Sequence, residues 1–251
     1  MSASGYPPAA GSVAKPDGAL ECTWQDPTPK ILLVGLSRSG KSSVRNVVFG
    51  KRSPHETIFQ EATKQIELRP CSSVRLFPMH IADFPGDWQW PESEDELRFQ
   101  HCRSIVCVLD AQEDNKDALS MMANLIGRAH AKNPKINFDI FIHKIDGDMF
   151  LNDSATADLR REVQGVMDNL APSVIKSTDF NIEYHCTSIY DHSIFEAFSK
   201  VIQKMMPQLP MLEHLLELFV SNCNLDRAFL FDVTSKLYVA SDASAAHSSG
   251  Y

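Results

Sequence analysis

The sequence predicts an α/β fold with a doubly wound, mostly parallel sheet, and three observations lead there. Apolar, β-branched runs alternate with segments of helical spacing between residues 30 and 207. The first run, ILLVG at 31–35, is continuously apolar and bounded by Pro29 and Gly35, the pattern of a strand covered on both faces. A glycine-bearing turn then joins that run directly to a helix beginning at Lys41.

That helix carries Val44, Val47 and Val48 on one face. Residues 75–86, RLFPMHIADFPG, read as a strand running into a turn, with Pro78 weakening its middle. SIVCVLDA at 104–111 is a strand, NKDALSMMANLIGRAHAKN at 115–133 has helical spacing, and FDIFIHKID at 138–146 is a strand again. ATADLRREVQGVMDNLA at 155–171 is an amphipathic helix, FNIEYHCTS at 180–188 a strand and SIFEAFSKVIQKMM at 193–206 a helix. After PQLP at 207–210, MLEHLLELFVSNCN reads as an apolar helix and AFLFDVTSKLYVASD as a hairpin, which breaks the alternation. Residues 1–29, rich in proline and small residues, read as a flexible leader; 30–207 form the main domain, and 211–251 the start of a second domain that is cut off.

Composition narrows the function. The chain has 251 residues, 43% hydrophobic and 22% charged, which is a globular composition. Its 24 basic against 32 acidic residues, net −8, disfavour a nonspecific grip on nucleic acid or anionic lipid, so any phosphate must be held locally. The six cysteines form no C-x-x-C pair and read as reduced, mostly packed thiols. No run approaches the roughly 18 apolar residues of a membrane span. Ser2 follows the initiator Met, and the C-terminal HSSGY carries no prenylatable cysteine, so no direct membrane anchor is expected and the default compartment is cytoplasmic.

Gly35-Leu36-Ser37-Arg38-Ser39-Gly40-Lys41-Ser42 matches G-x-x-x-x-G-K-[ST] between a strand and a helix, the context that separates a phosphate loop from a chance glycine-rich turn. Its backbone N–H groups and the helix N-terminus face phosphate, Lys41 pairs with the β- and γ-phosphate oxygens, and Ser42 gives its hydroxyl to Mg²⁺. Asp83-Phe84-Pro85-Gly86 closes the next strand, where Asp83 reaches Mg²⁺ through water and the Gly86 N–H meets the γ-phosphate. His143-Lys144-Ile145-Asp146 ends a further strand at the ligand edge of such a sheet. An Asp there accepts from N1–H and N2–H₂ of guanine, a pair that adenine lacks, with Lys144 over the base and sugar and His143 donating to N7; the alternative is a helix N-cap at Asp146. Thr187-Ser188-Ile189, after the last strand, offers a backbone N–H to guanine O6.

In this order the elements resemble the small GTPases of the Ras-like superfamily, and within it the Rag family, RagC/RagD type. The resemblance spans roughly 30–242 and rests on GLSRSGKSSV, SPHETIFQEAT at 53–63, DFPG, FIHKID with His in place of Asn, TSIYDHSIFEAFSKV at 187–201 and AFLFDVTSKLYVASD at 228–242. It implies a P-loop, Ras-like sheet followed by the start of a truncated α+β roadblock-like dimerisation domain, with GTP or GDP and Mg²⁺ as ligands. Nucleotide contacts then fall on Arg38, Ser39, Gly40, Lys41, Ser42 and Ser43, on Thr57 and Thr63 of switch I, on Gly86, and on His143, Lys144, Asp146, Ser188 and Ile189. The metal falls to Ser42, Thr63 and, through water, Asp83. Only the resemblance separates Thr63, as the γ-phosphate sensor, from Thr57 or from a solvated loop threonine.

The resemblance implies a regulatory switch that pairs with a RagA/RagB-type partner. It would signal amino-acid availability to the target-of-rapamycin kinase complex, and be recruited from the cytoplasm to the lysosomal or vacuolar surface by a scaffold. GTP hydrolysis would rest on Lys41, Thr63 and the residue after DFPG. The family carries a water-orienting Gln there, whereas this chain has the shorter, anionic Asp87, so slow or impaired hydrolysis is expected. A hydrolysis-deficient nucleotide-binding scaffold is the alternative; a P-loop kinase lacks an Arg-rich lid. DWQWPESEDELRFQHC, after DFPG, is acidic and lacks the family's aromatic run, so its effector contacts do not transfer; Trp88 and Trp90 read as packed on the body rather than partner-facing.

Overall fold

The computed structural model describes residues 22–74, 77–146, 153–170 and 182–242. Its first βα unit is strand β1 (Lys30–Val34) and helix α1 (Lys41–Val48), followed by strands β2 (Glu67–Pro70) and β3 (His80–Asp83). Helix α2 (Asp95–Phe99), β4 (Cys102–Asp110), α3 (Lys116–Lys132), β5 (Asn137–His143), α4 (Asp153–Leu170), β6 (Ile182–Thr187), α5 (Ser193–Met205) and α6 (Leu209–Cys223) follow, before a hairpin of β7 (Phe229–Phe231) and β8 (Tyr238–Ser241).

The six-stranded sheet runs β2-β3-β1-β4-β5-β6, with every neighbouring pair parallel except β2 with β3. Because successive side chains point to opposite faces, β1 feeds two cores: Ile31 and Leu33 pack with Val44, Val48, Phe141 and Phe198, while Leu32 and Val34 pack with Leu119, Met122, Ile140 and Met167. The strand order reverses at β1, and the parallel strands β1, β3, β4, β5 and β6 all end on one edge, the place where such sheets bind ligands.

Two elements depart from those expected. The strand expected from residue 75 starts only at His80, after Pro78; Arg75 and Leu76 lie outside the described residues. Strand β2 was not expected: only its Leu68 and the preceding Ile66 pack inward, between charged residues and Pro70, so a half-exposed edge strand leaves a short alternation. Most of the segment read as a leader, 1–21, lies outside the described residues, but its end is built into the body. Fully buried Lys30 donates its ammonium to the Asp26 and Thr28 carbonyls, and Trp24 packs 6.1 Å from the Phe84 ring.

The segment after DFPG closes over the same face. Trp90 stacks on Phe84 at 4.5 Å, Trp88 meets Phe84 edge-on at 5.9 Å, and the Arg98 guanidinium lies 4.1 Å from the Trp24 ring centroid. Arg128 of α3 grips Asp95 through two nitrogens and the Trp90 carbonyl at 3.0 Å. Both tryptophans therefore pack on the body.

The hairpin forms a sheet of its own against α5, burying Leu237, Val239 and Ala240, with Tyr238 N–H donating to Ser199 Oγ and Gln203 Nε2 to the Val239 carbonyl. Met211, Leu215, Leu218 and Phe219 of α6 and Phe229 and Phe231 of β7 are exposed. None of the six cysteines is disulfide-bonded, and burial pushes the Cys107 thiol up to about 12. Among the described residues, no helix is long and apolar enough to cross a membrane.

Candidate functional site

A cavity of about 650 Å³ opens at the strand-end edge, lined from the phosphate loop by Arg38, Gly40, Lys41, Ser42 and Ser43. Gly40 is required there twice over. Its φ is +102°, and a Cβ would stand 2.7 Å from the His143 ring, so the imidazole lies flush against the loop. Gly86 is equally constrained, because a Cβ would stand 2.1 Å from the Ser37 nitrogen; the end of β3 thus touches the phosphate loop. Lys41 is buried, and its ammonium donates to the Gly35 and Leu36 carbonyls at 2.8 and 2.7 Å. Burial pulls its pKa down, against the pull of the nearby Asp83 carboxylate. Ser39 is buried beneath the loop rather than lining the cavity.

The loop between α1 and β2 separates the two threonines. Thr57 closes a 3₁₀ turn, Pro54–Thr57, whose start is capped reciprocally by Ser53 and Glu56, and its hydroxyl donates to the Pro54 carbonyl at 2.8 Å. The Thr63 hydroxyl instead lies 2.8 Å from Ser42 Oγ. Asn46 Nδ2 donates to Gln60 Oε1 at 2.7 Å and ties this loop to α1. Beneath the pair, Asp83 is fully buried, and neither carboxylate oxygen accepts a hydrogen bond of good geometry among the described residues. Burial raises its carboxyl above the ordinary range, opposed by Ser42, Arg45 and Lys41. Two hydroxyls beside an unsatisfied carboxylate form an oxygen-only donor set, which fits a hard divalent cation such as Mg²⁺.

At the other end of the cavity, Asp146 Oδ1 accepts a hydrogen bond from Ser188 Oγ at 2.9 Å, and Ser188 Oγ also accepts from the Tyr190 N–H. Its carboxylate is thus held between two strand ends at the cavity, while the residues that a helix N-cap at Asp146 would serve, 147–152, lie outside the described residues. Lys144, at φ +67°, donates to the Arg38 carbonyl at 2.9 Å and pairs with Asp110. His143 Nδ1 shares a hydrogen bond with the Thr187 hydroxyl at 3.0 Å, which leaves Nε2 on the Gly40 side. Burial pulls its pKa down to about 4, so the ring is neutral near pH 7.

Most of the expected residues therefore meet in one cavity: Arg38, Gly40, Lys41, Ser42, Ser43, Thr57, Thr63, Gly86, His143, Lys144, Asp146 and Ile189 line it. Asp83 and Ser188 stand just behind the lining, while Asp87 lies outside it with its side chain exposed. Gln112 and Tyr190 also line the cavity, and the sequence reading missed both. Gln112 Nε2 donates to the Lys144 carbonyl at 3.2 Å, a contact across strands that spacing does not reveal; Tyr190 follows the strand-end Thr-Ser-Ile directly.

A second cluster holds nothing more. Asp139, Glu183 and His185 present metal-type ligand atoms together, but Lys204 Nζ already sits 2.7 Å from Asp139 and 3.2 Å from Glu183.

The sheet order and the loop, carboxylate and hydroxyls at its edge define a P-loop protein with a doubly wound, mostly parallel sheet. A family described as the Gtr1/RagA G protein conserved region matches residues 30–250, and the chain belongs to that family. It is 45% identical to Ras-related GTP-binding protein C of Mus musculus and of Homo sapiens over 219 residues, 86% of this chain and 54% of each relative. It is 44% identical to GTP-binding protein gtr2 of Schizosaccharomyces pombe over 218 residues, 86% of this chain and 67% of that one. The chain thus spans about half the length of the two proteins C.

Proposed function

We propose that the chain is a guanine-nucleotide-binding regulatory switch of the RagC/RagD type. One observation carries the reading: Asp146, fixed by Ser188, and the phosphate loop face one cavity, so base and phosphates are read from its two ends. Asp146 accepts from N1–H and N2–H₂ of guanine, Lys144 lies along base and sugar, and the Ile189 N–H serves O6. The loop N–H groups and the start of α1 hold the phosphates, with Lys41 on their β- and γ-oxygens. Ser42, Thr63 and Asp83 would hold Mg²⁺, which would supply positive charge against the phosphates. A γ-phosphate gathers Thr63 and the Gly86 N–H; its loss releases both segments, which is the switch.

The same reading makes 30–207 the nucleotide-binding domain and 211–251 part of a roadblock-like dimerisation domain, to which the exposed apolar side chains of α6 and β7 belong. It pairs the chain with a RagA/RagB-type GTPase, places it at the lysosomal or vacuolar surface through a scaffold, and makes the target-of-rapamycin complex its readout for amino acids. Nucleotide released from the purified protein by heat and separated by chromatography tests it. GDP or GTP in near-equimolar amount is expected; ADP or ATP overturns it.

The second reading, a hydrolysis-deficient scaffold, is favoured by Asp87, which stands outside the cavity where a water-orienting amide is needed. Single-turnover GTP cleavage with and without an activating protein separates the two.

A further inference from the structure

Arg45 lies one turn beyond Ser42 on α1, with only a tenth of its side chain exposed. Its guanidinium donates to Glu67 of β2 at 2.7 Å and stands 3.6 Å from Asp83 Oδ2. Asp83 is fully buried and otherwise short of hydrogen bonds, so this fixed positive charge is a large part of its surroundings. Glu67, itself held by Arg69 at 3.0 Å, draws the same guanidinium the other way. One cation is thus divided between a half-exposed carboxylate on the edge strand and the buried carboxylate behind the Ser42–Thr63 pair.

We propose that Arg45 is a positioning residue that sets how much Mg²⁺ nucleotide retention requires, its guanidinium being apportioned between Asp83 and Glu67. The inference rests on the guanine-nucleotide reading. A positive charge beside a buried carboxylate offsets part of its attraction for a divalent cation, and does so strongly where solvent screens little. Removing the guanidinium returns the full charge of Asp83 to the site. Removing the charge of Glu67 releases the guanidinium towards Asp83. The two substitutions therefore act in opposite directions, although both break the same α1–β2 ion pair.

Dissociation of a fluorescent GDP analogue from the full chain, followed across free Mg²⁺ concentrations, gives the Mg²⁺ midpoint for retention. Arg45→Gln lowers that midpoint about tenfold, since a positive charge 3.6 Å from Asp83 opposes a cation on that carboxylate where solvent screens little. Glu67→Gln raises it severalfold, and Arg45→Lys, which keeps the charge, stays near the parent. If Arg45 merely clamps β2 to α1, Arg45→Gln and Glu67→Gln weaken retention in the same direction. Parallel shifts, or none, in a protein that retains GDP overturn this inference alone. Absence of saturable retention by the unsubstituted chain at any Mg²⁺ concentration overturns it together with the nucleotide reading.

Discussion

The hydroxyl oxygens of Ser42 and Thr63 lie 2.8 Å apart, so the first turn of α1 and the loop ahead of β2 share a hydrogen bond across 21 positions of chain. The contact makes the loop's position depend on what Ser42 binds, and the Thr57 hydroxyl, turned back on Pro54, takes no part in it.

Ser42→Asn therefore weakens GTP binding more than GDP binding, because a metal held by Ser42 and Thr63 would lose a hydroxyl ligand and with it charge that the γ-phosphate needs. The gap between the two is about tenfold, roughly 1.4 kcal/mol. Titration of fluorescent GTP and GDP analogues in Mg²⁺ checks it; equal losses for both contradict the role given to Ser42.

His143 gives the fold a pH dependence. Its folded-state pKa of about 4 lies below the ordinary 6.5, so between those values the unfolded chain binds the additional proton and stability rises with pH. The contribution is complete above about pH 6.5, is lost as pH falls towards 4, and amounts to roughly 3 kcal/mol. Urea unfolding at pH 7.5 and pH 5 should show this slope in the unsubstituted protein and a shallower one in His143→Asn, which cannot take up the proton. Equal slopes contradict the assignment.

Asp87→Gln raises single-turnover GTP cleavage about tenfold when an activating protein is present, because the amide orients water and adds no charge near the γ-phosphate. Since Asp87 is exposed and does not line the cavity, little change is expected without that partner. Unchanged cleavage with the partner shows that Asp87 is not the limiting feature.

Trp24→Ala destabilises the chain by about 2 kcal/mol, less than a fully buried tryptophan because the ring is half-buried, by removing its packing on Phe84 and the stacking face for Arg98. Denaturant midpoints at constant slope measure it. A change below about 0.5 kcal/mol, the usual range for surface substitutions, contradicts the view that this segment belongs to the body.

The fold was legible wherever the physics is local. The β1 run, the valine face of α1 and the strand-end motifs each carry periodicity or a turn that only one arrangement satisfies. What was hidden depends on partners distant in sequence. Strand β2 is marked only by Leu68 and the preceding Ile66 and acquires its identity from pairing with β3. Trp24 belongs to a proline-rich segment by composition and to the body by its contact with Phe84. Within the site, the order of motifs indicated which residues meet, but not how each is held. That Ser188 orients Asp146, that Thr187 occupies one His143 nitrogen, and that Thr63 rather than Thr57 meets Ser42 are facts of side-chain direction.

Recognition of guanine by Asp146 is the centre of the account, and competition of labelled GTP by unlabelled GTP, XTP and ATP tests it most directly. The unsubstituted chain should prefer GTP. Asp146→Asn should prefer XTP, because xanthine puts a carbonyl where guanine has an amino donor, and an amide N–H meets it. An unpaired buried donor or acceptor costs roughly 1–3 kcal/mol, so each preference moves by about one to two decades. ATP should compete poorly with both. A substituted protein that still prefers GTP to XTP, or an unsubstituted one that binds ATP as well as GTP, contradicts the assignment of Asp146 as the residue that reads the base.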